Sequence, residues 1–240
     1  MPEDERPPAP DHLTLLTWGE VEILGRLPWS SNRTYLANCT IEGSELPAVY
    51  KPGRGERPLW DFGEDLWRRE VAAYELSVSA GWNLVPETVA RRDGPLGPGS
   101  MQRFVPSHFE QHYFTLLDDE ECYDKLRSIC AFDVVANNAD RKSGHCLLAE
   151  DGGIWAIDNG LCFHREPKLR TVIWEFAGDE LPRDAITALE KTCDGLPESL
   201  RSLLSRDEME AVARRAERLL VRGRLPDLPS EGARYPWPLV

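Results

Sequence analysis

Two short runs, with carboxylates eighteen positions apart, constrain this chain more than anything else in it. The first is Asn137-Asn138-Ala139-Asp140-Arg141-Lys142-Ser143-Gly144-His145-Cys146-Leu147-Leu148, which ends on an apolar pair. The second is Ile154-Trp155-Ala156-Ile157-Asp158-Asn159-Gly160-Leu161-Cys162-Phe163, which opens on an apolar stretch. Between them lies Glu150-Asp151-Gly152-Gly153, a strong hairpin turn. A loop, a short hairpin and a second loop would bring Asp140 and Asp158 to one cleft. Phosphoryl transfer needs such a pair: one Asp to orient the attacking hydroxyl, another to hold Mg²⁺ on the nucleotide phosphates. Asn159-Gly160 alone reads as a turn. A turn does not account for the second apolar run or for the matching loop upstream.

The rest of the chain supplies a setting for that pair. Residues 1–11 are acidic and rich in proline, and read as disordered. Residues 13–27 show strand-like apolar alternation, residues 33–41 alternate again, and 46–51 form a short third strand. Turns at 28–32 and 42–45 make this an antiparallel meander. Residues 64–80 have helical character, with Leu66, Ala73, Leu76 and Ala80 on one side and Gly81 as a C′ residue. Residues 84–90 and 100–105 read as strands around a Gly/Pro turn. Residues 118–137 form an amphipathic helix whose apolar stripe includes Cys122, Leu126, Ile129, Cys130 and Phe132-Asp133-Val134. Residues 184–191, 197–205 and 207–222 are helical. The expected fold is α+β and bilobal: a β-rich lobe with one helix over 12–105, then a mainly helical lobe over 106–240 that carries the hairpin.

Other residues fit the same chemistry. Lys51 ends the third strand, where a lysine can neutralise phosphate oxygens. Glu70, near the middle of the following helix, can hold such a lysine in place, with Glu75 as its rival. The turn Pro28-Trp29-Ser30-Ser31-Asn32 can cradle phosphate with backbone N–H groups, although no Gly-x-Gly-x-x-Gly is present. Arg141 and Lys142 would favour ionised Asp140 and can contact phosphate. His145 stands five residues after Asp140, where a second metal-binding side chain is expected; Mg²⁺ prefers oxygen to imidazole.

Composition narrows the function classes. A net charge of −13 argues against non-specific nucleic-acid binding and against docking on anionic membranes by charge alone. No apolar run approaches the roughly 20 residues of a membrane span. The six cysteines form no Cys-x-x-Cys pair and read as reduced core residues of a cytosolic protein.

The run Asn138-Ala139-Asp140-Arg141 with His145, followed by Ala156-Ile157-Asp158-Asn159-Gly160-Leu161-Cys162-Phe163, resembles the phosphatidylinositol 3-/4-kinase superfamily. The similarity is to its type II phosphatidylinositol 4-kinases and to compact bacterial, actinobacterial relatives. Leu84-Val85-Pro86-Glu87-Thr88 and Gly99-Ser100-Met101-Gln102-Arg103-Phe104-Val105 are also similar to segments around that family's hinge. The resemblance spans about residues 25–163 and rests on the ordered set of motifs.

It implies a bilobal kinase fold that uses ATP with Mg²⁺ or Mn²⁺. Ser30, Ser31 and Asn32 would belong to the phosphate loop. Lys51 would be the ATP-phosphate lysine and Glu70 its helix partner. Gln102, Arg103, Phe104 and Val105 would line the adenine pocket. Asp140 would be the catalytic aspartate and Asp158 the metal-binding one. The family usually carries Asn at the His145 position, so this chain departs there. It also lacks the cysteine-rich insert of the type II lipid kinases. The expected activity is γ-phosphate transfer to a hydroxyl of a protein, a small molecule or an inositol lipid. The alternatives are a nucleotide-binding pseudokinase or scaffold, and an AMP-transferring enzyme on the same fold. The tail from Arg234 is expected to dock on its own domain, because exposed aromatics end a soluble chain poorly.

Overall fold

In the computed structural model, residues 9–28, 32–230 and 234–239 are described. The chain divides into two units: Met1–Arg57 with Glu87–Phe104, and Pro58–Pro86 with Val105–Val240. The segment expected to be disordered, 1–11, lies mostly outside the described residues.

The first unit opens on a helix where alternation suggested a strand. Asp11 caps α1 (His12–Trp18), its carboxylate accepting the Thr14 N–H at 2.7 Å. Leu-Thr-Leu-Leu-Thr-Trp satisfies period two and period three-to-four alike, and the capping aspartate decides between them. Strand β1 (Glu20–Arg26) follows at once, so only the second half of the expected strand is one. With β2 (Tyr35–Ile41), β3 (Ser44–Pro52), β4 (Thr88–Arg91) and β5 (Gly99–Arg103) it forms an antiparallel sheet of order β1-β2-β3-β5-β4.

Leu15 and Leu16 of α1 pack on Ala37, Cys39, Ala48, Tyr50 and Met101 of the sheet. The buried Arg91 guanidinium donates to the carbonyls of Leu16 (3.1 Å) and Gly19 (2.9 Å), satisfying acceptors at the helix end. In the sheet register Lys51 pairs with Ser100, and the next partner is Gly99. A Cβ at Gly99 would overlap the Lys51 carbonyl, so glycine sets how closely β5 approaches β3 there.

The second unit is mainly helical. It holds α2 (Trp67–Ser79), α3 (Tyr113–Leu116), α4 (Tyr123–Ala136), α5 (Arg183–Asp194) and α6 (Arg206–Arg222). The hairpin of β6 (Cys146–Leu148) and β7 (Ile154–Ala156) sits among them, paired Cys146↔Ala156 to Leu148↔Ile154. The helix read over 197–205 is a short 3₁₀ turn, Glu198–Ser202, which ends before the α6 cap at Ser205. One apolar core runs through α2, α4, α5, α6 and the hairpin, and includes Leu76, Leu126, Ile129, Phe132, Ala156, Phe163, Leu189 and Val212. Helix α2, expected with the first lobe, groups with this unit.

Candidate active site

Helix α4 ends at Asn137, whose φ of 55° is left-handed, and turns the chain into the first run. Asparagine tolerates that conformation better than most residues. Its amide then ties down the segment beyond the second run: Nδ2 donates to the carbonyls of His164 (2.8 Å) and Glu166 (2.7 Å), and Oδ1 accepts the Lys168 N–H (2.8 Å). Asn138 works locally. Its Nδ2 donates to Asp133 Oδ1 at 3.1 Å, and its Oδ1 accepts the Asp140 N–H at 2.9 Å.

The main support of the site is a buried ion pair absent from the sequence reading. Arg141 and Asp133 both have fully buried side chains, and Arg141 Nη2 lies 2.9 Å from Asp133 Oδ1. The Arg141 Nε donates to Asp133 Oδ2, also at 2.9 Å. The remaining guanidinium donors cross to the second run: Nη1 to the Ile157 carbonyl (2.5 Å) and Nη2 to Asn159 Oδ1 (2.7 Å). Burial opposes the charge of Arg141, but Asp133 outweighs it and the guanidinium stays protonated. Arg141 was expected to favour ionised Asp140 and to be able to contact phosphate; its charge does favour ionised Asp140, but with no exposed surface it clamps one carboxylate loop to the other. The hint was Asp133 itself, a charge inside an apolar helical stripe, which demands a buried partner.

The two runs also meet along the backbone. The Ile157 N–H donates to the His145 carbonyl (3.0 Å), the Ala139 N–H to the Leu161 carbonyl (2.9 Å) and the Phe163 N–H to the Ala136 carbonyl (2.5 Å). Asp140 and Asp158 are close enough for the charge of one to act on the other. Burial pushes the Asp140 carboxyl up to about 6; Lys142, whose Nζ is 3.2 Å from Asp140 Oδ2, pulls against the rise, and Asp158 adds to it. Asp158 (φ 58°) and the fully buried Phe163 (φ 68°) are both left-handed, so the surroundings must impose this loop's shape.

His145 faces Asp158, with Nε2 3.3 Å from Oδ2. Its Nδ1 lies 3.0 Å from the Asp140 carbonyl and 3.3 Å from the Lys142 nitrogen. The Lys142 N–H donates to Nδ1, and the Nε2 edge of the ring faces the Asp158 carboxylate. An imidazole nitrogen and a carboxylate oxygen this close are both groups that can ligate a divalent cation. Among the described residues no group of three or more His, Cys, Asp or Glu could hold a metal by itself. Two protein donors fit Mg²⁺ or Mn²⁺ that takes its other ligands from water and phosphate.

Glu70 is buried in α2, and its Oε2 accepts the Asn159 N–H at 2.9 Å. Glu75, its rival, accepts the Ser199 hydroxyl at 2.7 Å on the exposed side. A Cβ at Gly160 would stand 3.3 Å from Glu70 Oε1, so the loop passes tightly over this carboxylate.

In the first unit Lys51 lies on β3. Asn32 Oδ1 accepts the Arg57 N–H at 3.0 Å, and Ser30 and Ser31 lie outside the described residues. Gln102 Nε2 donates to Thr88 Oγ1 (2.8 Å), Arg103 Nε to Glu87 Oε2 (2.6 Å) and the Phe104 N–H to the Pro47 carbonyl (2.9 Å). The side chains of Gln102 and Arg103 are thus engaged within their own unit. Val105, in the second unit, is buried.

The tail docks beside the first run. The Arg234 carbonyl accepts the Thr171 N–H (3.2 Å) and the Trp174 indole N–H (3.0 Å), and the Leu239 carbonyl accepts the Ser143 N–H (2.9 Å). The aromatics that suggested docking do not carry it: Tyr235 and Trp237 are exposed, while Pro236 is buried.

No family model matches the chain. Many solved structures resemble it, among them the following two. The structure of hydra Fam20 with sugar gives a TM-score of 0.52 at 15% identity, over 87% of this chain and 86% of that one. The Helicobacter pylori proinflammatory kinase CtkA gives 0.47 at 12%, over 88% and 94%. The likeness to the Fam20 structure is one of fold, a β-sheet part followed by a helical part. A curated relative, Protein Rv2133c of Mycobacterium tuberculosis, is 37% identical over 269 aligned residues, covering 95% of each chain. At that identity over nearly the whole of both, the chain belongs to the family of Rv2133c.

Proposed function

We propose that this protein is an ATP-dependent phosphotransferase that moves the γ-phosphate to an acceptor hydroxyl. One observation carries the reading: the Arg141–Asp133 pair locks the Asp140 loop against the loop that presents Asp158 to His145. Ionised Asp140 accepts the acceptor's proton as its oxygen attacks the γ-phosphorus. The bond to the ADP oxygen breaks, and its electron pair leaves with ADP. Lys142 favours the charged form of Asp140 and can offset charge on the transferred group. Asp158, with His145, would hold Mg²⁺ or Mn²⁺, which when bound neutralises phosphate charge. Lys51 is proposed as the lysine that meets the ATP phosphates. Asn32 with Ser30 and Ser31 is proposed for phosphate contact, and the stretch from Gln102 to Val105 for the adenine side.

The acceptor is a protein hydroxyl, a small alcohol or an inositol lipid, and the net charge of −13 favours the first two. A second reading, nucleotide binding without transfer, is favoured by His145, an imidazole where an amide oxygen would suit Mg²⁺ better.

Calorimetric titration of ATP with and without Mg²⁺ or Mn²⁺ tests the proposal. Metal-dependent binding that Asp158→Ala abolishes supports it, and absence of binding with either metal sinks it. Turnover assays with γ- and α-labelled ATP then separate phosphate transfer, AMP transfer and binding alone.

A further inference from the structure

Helix α2 contributes two consecutive side chains to the Asp158 loop, and they grip opposite polarities of its backbone. Glu70 takes the N–H of Asn159 at 2.9 Å. Its neighbour Arg69 donates through Nη1 to the Cys162 carbonyl at 2.6 Å. The stretch just after Asp158 is therefore held at both ends from one turn of one helix.

The other arm of Arg69 is anchored as well. Nη2 reaches Glu208 Oε1 at 2.5 Å, and the two side chains are only 13% and 15% exposed. Glu208 is fixed in turn: its Oε2 accepts the backbone N–H and the hydroxyl of Ser205, each at 2.9 Å, closing the capping box of α6. The Phe62 ring lies 5.3 Å from the guanidinium carbon of Arg69. Arg68, one position earlier, makes an exposed pair with Asp65 three residues away and lies over the Trp67 ring at 5.5 Å, away from the loop's backbone bonds. Position 69, not basic charge on this helix in general, is built into the loop.

The loop needs such a hold. Asp158 and Phe163, at its two ends, both adopt left-handed backbone that neither residue type prefers. Between them the Arg141 guanidinium, short backbone contacts and these two side chains hold its course.

We propose that Arg69 is a positioning residue for the Asp158 carboxylate: braced on the α6 cap through Glu208, it holds the Cys162 carbonyl and keeps the loop in the form that presents Asp158 to a nucleotide-bound divalent cation. The second half of this statement rests on the phosphotransferase reading.

Two measurements on Arg69→Gln and Glu208→Gln separate the halves. Glutamine at 208 keeps the capping box and removes only the charge. Hydrogen exchange without nucleotide reads the loop directly: amides of residues 159–163 exchange faster in Arg69→Gln, with smaller effects elsewhere. Calorimetry with ATP reads the consequence. Removal of a side chain that orients a metal ligand weakens affinity by about tenfold or more, so Mg²⁺-dependent ATP binding falls by about that factor in Arg69→Gln. It falls less in Glu208→Gln, while metal-free ATP binding stays unchanged. Arg69→Lys, which keeps one of the two contacts, restores part of the loss. Unchanged exchange at 159–163 in folded Arg69→Gln overturns the clamp. Accelerated exchange with undiminished Mg²⁺-dependent binding overturns the positioning role. A wild-type protein that binds no ATP with metal overturns the phosphotransferase reading and leaves the clamp standing. Should Arg69→Gln fail to fold, Glu208→Gln decides by the same two readouts.

Discussion

Asp140 is destabilised in its charged form by the site that would use it. Its carboxyl stands at about 6 against an ordinary 3.8, chiefly through burial, so the native chain holds a proton there that the unfolded chain has released. Stability therefore falls as pH rises from 3.8 through about 6, and the cost is complete above that window. A shift of this size corresponds to at most ~3 kcal/mol, and partial exposure reduces it to about 1–2 kcal/mol. Asp140→Asn should accordingly be more stable than wild type by that amount at pH 7.5 in EDTA, with the gap closing toward pH 4. A variant less stable than wild type at pH 7.5 would contradict this. The same shift predicts phosphate transfer that rises with pH through about 6 as Asp140 ionises.

Substitution at Asp133 should act in the opposite direction, because its carboxylate is the buried partner of Arg141. Asp133→Asn leaves the Arg141 charge buried with a neutral partner, and breaking such a pair costs about 3–5 kcal/mol. Urea unfolding should show a loss in that range. The meeting of the Asp140 and Asp158 loops was legible because each carboxylate adjoins an apolar run in a polar loop. The clamp role of Arg141 was missed because its partner lies eight residues back on a helix face, and nothing in the local spacing says which way a side chain turns.

At the scale of elements, the long periodic segments were legible and the short ones were not. Helix α4 and the β6–β7 hairpin carry a clear stripe and a clear turn, and both are present. Helix α1 is seven residues long, too short for periodicity to separate helix from strand, and its only signal was the Asp11 cap. The 3₁₀ turn at Glu198–Ser202 is similarly short. Long-range roles were invisible too: α2 showed an apolar side, but not that Arg69 and Glu70 would seize one loop. Helix α6 gives the element-scale test. Ser205 caps it and Glu208 returns the bond, so Ser205→Ala should cost about 1 kcal/mol in chemical unfolding. It should also loosen Glu208 and, through Arg69, the amides of 159–163. Loss of stability without any change in exchange there would show that cap and loop are not linked.

For the molecule as a whole, the order of a β-rich part followed by a helical part was legible, because strand-like alternation gives way to helical stripes along the chain. What composition could not show is that the apolar residues condense into separate clusters. Cys39 belongs to the cluster of α1 and the sheet, whereas Cys122, Cys130, Cys146 and Cys162 share the large cluster of the helical unit. All six cysteines are free, and only Cys193 is exposed. Burial raises the thiols of Cys130, Cys146 and Cys162 far enough that none is a thiolate at neutral pH in the folded chain. They can react only when the core around them opens, so alkylation rates report that opening. Native protein should yield one fast thiol, Cys193. Near the denaturation midpoint, pulsed alkylation read by mass spectrometry should place Cys130, Cys146 and Cys162 in one kinetic class, because one continuous core encloses all three. Cys39, packed in its own cluster, should follow a different rate. Identical rates for Cys39 and Cys146 would mean that the two clusters open in a single event, and that their separation in space is not a separation in stability.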